Sequence, residues 1–141
     1  MTRKLPILLS MFAVGIILAA AGPTLAHHSR AMFDMTQNIT YRGVVKEYRW
    51  QNPHSHIIIT VGTQAVDPST VGTWDIEASS TSLMVSQGWN QKTLKSGDLI
   101  TAVAHPSRTR SKNLLLFYVT KADGTRLYRA RHRYPSEVET E

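Results

Sequence analysis

The chain has 141 residues and no cysteine, which excludes a disulfide framework and a thiolate metal site. Its formal charge is +6, and without Arg3 and Lys4 there remain 14 basic against 10 acidic residues, or +4. No nucleophile elbow, phosphate loop or zinc-protease helix motif occurs, so catalysis is not expected.

Arg3 and Lys4 give a positive start, and Leu5 to Ala21 follow without a charge. Gly22-Pro23 ends the apolar run, and Thr24-Leu25-Ala26 offers a small residue for cleavage. This is the pattern of a secretory signal peptide over residues 1–26, and it predicts a mature chain starting at His27. The rival is an uncleaved anchor, but a spanning helix usually needs about 20 apolar residues. The expected location is therefore periplasmic or secreted, with no stable membrane insertion after cleavage. The remaining 115 of 141 residues suffice for one domain with a core of its own.

Residues 27–38 read as a lead-in arm. Strand patterns then begin and run through residues 39–128. Ile39 to Trp50 is a long β-like run with Gly43 as a bulge or sharp bend, and Gln51-Asn52-Pro53 breaks it. From about His54 to Val61 the period of two puts Ile57, Ile59 and Val61 on one face. His54, His56, Ile58 and Thr60 fall on the other. After a loop, Trp74, Ile76 and Ala78 alternate with Thr73, Asp75 and Glu77.

Ser79 or Ser80 can cap a short helix through about Gln87, with Leu83 and Met84 as its apolar side. Gly88 suits the left-handed residue that ends it, and Trp89 can fold back over the last turn. Leu99 to His105 and Leu114 to Lys121 are two further strands, and Ala122-Asp123-Gly124 turns into Thr125 to Tyr128. The expected core is Ile57, Ile59, Val61, Trp74, Ile76, Leu83, Leu99, Val103, Leu115, Phe117 and Val119. Residues 129–141 form a charged tail. Three strands, a helix, then two strands is the order of an OB-fold. The expected fold class is all-β with one short helix: a small OB-like five-stranded barrel behind a signal peptide.

His27-His28-Ser29, Phe33-Asp34, Trp50-Gln51-Asn52-Pro53-His54, Trp74-Asp75-Ile76-Glu77, Gly88-Trp89, Leu94-Lys95-Ser96-Gly97-Asp98 and Asp123-Gly124 occur in this order. The series resembles a family of short exported bacterial proteins whose members form a domain of unknown function. The resemblance implies an exported single domain, OB-like in fold, and brings no activity with it. Similar members usually carry an aromatic residue at the position of Arg30 and often Trp at that of His56.

Four of the six histidines fall in two clusters, His27-His28 and His54-Ser55-His56. His54 and His56 share a strand face, about 6.5–7 Å apart at the backbone. If cleavage follows Ala26, His27 offers an α-amino and an imidazole nitrogen from one residue. A third nitrogen from His54 or His56 would complete a T-shaped copper site of the histidine-brace type. His27, His28, His54 and His56 are therefore the candidate metal ligands, and copper, which favours nitrogen donors, is the expected ion. The plainer alternative makes them ordinary polar residues, with His54 bonding within the Asn52-Pro53 turn. His105 reads as structural and His132 as solvated. Asp75 and Glu77 read as the wet face of a strand.

A second possibility is a non-catalytic envelope module that binds a small ligand or a protein partner on its barrel face. Tyr41, Tyr48 and Trp50 with Arg42 and Arg49 could supply stacking and charge, although packing is their ordinary use. Nucleic acid is not an expected partner in the envelope.

Overall fold

Period-two patterning of β-branched and aromatic residues produces six strands, and a computed structural model describes them within residues 28–130. The expected signal segment, residue 27 and residues 131–141 lie outside the described residues. The elements are α1 (His28–Ala31), β1 (Ile39–Arg49), β2 (His56–Val61), a 3-10 turn (Pro68–Thr70), β3 (Gly72–Glu77), α2 (Thr81–Val85), β4 (Leu99–Pro106), β5 (Asn113–Lys121) and β6 (Arg126–Tyr128). Hydrogen-bonded neighbours run β3-β2-β1-β4-β5-β6, and a further β3–β5 pairing closes the first five strands into a barrel. That closure is parallel, with Asp75 opposite Asn113 and Glu77 opposite Leu115, whereas every other ladder is antiparallel. The architecture is the OB-like barrel that the element order predicted. No helix among the described residues is long and apolar enough to cross a membrane.

The interior is filled by alternate residues of the five strands. Tyr41 and Val45 of β1, Ile57, Ile59 and Val61 of β2, Trp74 and Ile76 of β3, and Ile100, Ala102 and Ala104 of β4 belong to one buried cluster. Leu114, Leu116 and Val119 of β5 join them, and Met84, Trp89 and Leu94 add the connection between β3 and β4. Trp74 packs against Tyr41 with ring centres 4.8 Å apart and donates its indole N–H to the Thr70 carbonyl at 2.6 Å.

Two bulges set the phase. In β1 the register slips between Val45 and Glu47, so Lys46 is the extra residue and Gly43 is not. Gly43 answers a different demand: a β-carbon there would stand 2.7 Å from the Thr60 carbonyl oxygen. In β5, Val103 faces Tyr118 while Ala104 faces Leu116, so Phe117 is the extra residue of a bulge. Leu114 and Leu116 point inward before the bulge and Val119 after it, so Leu115 and Phe117 do not share its face. Leu115 and Val103 are buried on the outer side, while Phe117 is half-buried.

Two of the expected core residues are instead exposed. Leu99 is 42% exposed because Ile100, not Leu99, opens the inward series of β4. Leu83 is 55% exposed because the five-residue α2 turns only Met84 inward. The second strand starts at His56 rather than His54. Ser80 occupies the N-cap position of α2, but its side chain makes no capping bond. Gly88 and Trp89 behave as the sequence indicates: Gly88 has φ +87° and the Trp89 amide bonds back to Met84 at 3.1 Å.

The arm is fixed from outside. Phe33 is buried and bridges to Ser107, and the Asp34 amide donates to the Pro106 carbonyl at 2.8 Å. His105, also buried, donates its Nδ1 proton to the Gln37 carbonyl at 2.8 Å, a structural role.

Candidate functional site

The outward face of β2 and β3 at the Asn52-Pro53 end carries the histidine pair. Ser55 lies between the two histidines, fully buried, exchanging backbone bonds with Ser79 and Ala78 at 3.0 and 2.8 Å. With Ser55 turned inward, strand alternation sends His54 and His56 to the outer face.

On β3 the outward residues opposite them are Asp75 and Glu77. His56 Nδ1 lies 2.7 Å from Asp75 Oδ1, and His54 Nδ1 lies 2.8 Å from Glu77 Oε1. Both contacts are diagonal, since the register places His56 opposite Glu77 and Ile58 opposite Asp75. In a neutral imidazole each Nδ1 must carry the proton that the carboxylate accepts. Each Nε2 then presents a lone pair. The bond to Asp75 raises the His56 pKa, against the opposing effect of burial.

Sequence reading finds all four side chains but not their pairing. Asp75 and Glu77 are partners of the two histidines rather than merely a wet strand face. His54 does not bond within its own turn as the plainer alternative had it; its partner is Glu77. The aromatic residues considered for stacking serve packing instead. Tyr41 is buried, and Tyr48 packs on the core near Trp50 and Trp89 at 5.9 and 6.3 Å. Arg49 makes two 2.8 Å bonds to Glu47.

His27 lies outside the described residues, and His28 opens α1. The arm nevertheless comes close: Arg30 lines the same cavity as Pro53, His54 and Glu77. Among the described residues no group of three or more His, Asp or Glu side chains is arranged to hold a metal ion. Two imidazoles with carboxylate-fixed tautomers are what this face provides.

The chain belongs to DUF6152, a family of unknown function. The DUF6152 match spans residues 14–115 and so includes His54, His56, Asp75 and Glu77, ending within β5. No curated protein and no solved structure matches the chain.

Proposed function

We propose that this DUF6152 member is an exported, non-catalytic binding protein that takes up a transition metal, copper first, through His54 and His56 with His27 and His28. The observation that carries the reading is the carboxylate grip on both imidazoles at Nδ1. Ligating histidines characteristically give their second ring nitrogen to a carboxylate, which fixes the tautomer and strengthens the other nitrogen as a donor. Histidine nitrogens without thiolates favour copper among the available ions. Two imidazoles leave the coordination incomplete, and the nearness of Arg30 to His54 supports an approach of the arm that carries His27 and His28. Export rests on the charged start, apolar run and small residues of the first 26 positions.

The test is a Cu(II) titration of protein recovered from the exporting cell, followed by electron paramagnetic resonance. One copper per chain with nitrogen hyperfine structure is expected. The variants His54→Ala and His56→Ala should each bind at least about tenfold more weakly, and Glu77→Gln about tenfold. Unchanged affinity in the doubly substituted protein overturns the reading.

A second reading has its own observation. A cavity of about 860 Å³ opens between β1, β4 and the loop after β2, with Arg42, Gln64, Val66 and Leu99 in its wall. Its size suits a small organic ligand. An envelope module binding there would saturate with a ligand irrespective of copper, and Arg42→Ala would abolish that binding while leaving copper uptake intact.

A further inference from the structure

Arg129 follows β6 and is half-buried, yet it has no ion pair among the described residues. Its only side-chain hydrogen bond among the described residues is a long one, 3.5 Å from Nη1 to the Ser79 hydroxyl. A guanidinium carries five donors in a rigid fork shaped for carboxylates. Removing it from water without such a partner is unfavourable. Burial and the neighbouring Arg30 both lower its pKa, and Glu77 opposes them only in part.

The two arginines line one cavity of about 310 Å³, between α1, the β1–β2 turn and the segment leading into α2. The only carboxylate that the described residues place in its wall is Glu77, which His54 engages at 2.8 Å. Among the described residues, the two arginines of the cavity therefore have positive charge without a matching anion. Leu83, 55% exposed, and Pro53 add apolar surface to the same lining. Glu77 repels a dianion more strongly than a monoanion.

We propose that this cavity binds a small organic monocarboxylate, its charged head held by Arg129 and Arg30 and its short apolar body against Leu83 and Pro53. The site adjoins His54 but does not depend on a metal. Arg129 satisfies its donors by giving two N–H bonds to a bidentate carboxylate, and the Ser79 hydroxyl can donate a further one.

The experiment is a titration of the full exported chain with sodium butyrate in the presence of a chelator, read by NMR at the Arg129 Nε–H and at the amides of residues 78–80. Saturable shifts are expected with butyrate and none with butyramide, its neutral counterpart. Arg129→Gln should weaken binding about tenfold or more, and Arg30→Gln, at an exposed position, should weaken it without disturbing the melting temperature. Equal binding of butyrate and butyramide overturns the proposal, as does saturation by inorganic phosphate alone. Retained affinity in both arginine variants overturns it too. Because the chelator removes metal from the assay, failure here leaves the copper reading standing, and failure of copper binding leaves this one standing.

Discussion

Asn52 caps a helix that starts 29 residues later in the chain. Its Oδ1 accepts the Thr81 amide at 3.0 Å and the Thr81 hydroxyl at 3.1 Å, satisfying the first amide of a helix whose N-cap Ser80 makes no side-chain bond. The turn between β1 and β2 is thereby fastened to the segment that leaves β3. Both flanks of the His54 cavity are held by one side chain. Replacing Asn52 with Ala removes the acceptor for a helix N-terminus, and a loss of about 0.5–2 kcal/mol is expected. Asn52→Asp, which keeps the oxygen, should recover most of it. Urea midpoints of the three proteins check this, and equal midpoints for Asn52→Ala and the parent would show the cap to be energetically idle.

Ile76 and Leu99 should respond oppositely to truncation. Ile76 has no exposed surface and sits in the central cluster, so Ile76→Ala should cost about 2–5 kcal/mol through lost burial and a cavity. Leu99 is 42% exposed, and Leu99→Ala should stay within about 0.5 kcal/mol of the parent. Chemical denaturation of the two variants distinguishes the observed strand phase from the one read off the sequence.

Asp34 provides the pH test. Its carboxylate accepts the Thr36 hydroxyl at 2.7 Å, the Thr36 amide at 3.1 Å and the Gln37 side-chain amide at 2.8 Å. The hydroxyl and amide of Thr36 hold its pKa below the ordinary value of about 3.9. A depressed carboxyl contributes stability that is present above its unfolded pKa and disappears as pH falls through the folded one. The Asp34 carboxyl carbon should therefore titrate by NMR below about 3.9, and Thr36→Val should move that midpoint upward. A midpoint at or above the ordinary value, unmoved by Thr36→Val, contradicts the turn geometry.

The proposed copper site makes a demand on the first residue. Mass spectrometry of exported protein is expected to give a chain beginning at His27. A protein with one additional residue before His27 loses the amine–imidazole chelate of that residue and should bind Cu(II) more weakly. Affinity should also fall as the pH is lowered, because each ligand nitrogen must be free of its proton to bind the metal. If native and extended N-termini bind copper equally, the amine takes no part.

The barrel was legible because its signals are local. The alternation of Ile57, Ile59 and Val61, that of Trp74 and Ile76, and the turns at Gly88 and Asp123-Gly124 each speak for their own neighbourhood. What escaped depends on register. One extra residue at the bulge, Phe117, transfers the inward role in β5 from Leu115 to Leu114 and Leu116, and nothing in a run of leucines marks it. The site follows the same rule. His54, His56, Asp75 and Glu77 were all visible on outward faces, but the two diagonal pairs exist only once the β2–β3 ladder has fixed its alignment across the loop at 62–71. The cavity at Arg129 was harder still, because it assembles the arm, a turn and the exit of β6 from distant parts of the chain.

Barrel closure has a consequence for how this molecule can meet another. β1, β2 and β4 each have a strand on both sides, and β5 is shared between β4 on one side and β3 and β6 on the other. Little main-chain edge is left for an incoming strand to extend, the usual means by which an open sheet recruits an extended peptide. Recognition on these strands must come from side chains displayed on a scaffold whose own backbone bonds are already made. The scaffold and its display are thus separable: outward positions such as His56 can change from one protein to the next while the inward ones keep the same barrel.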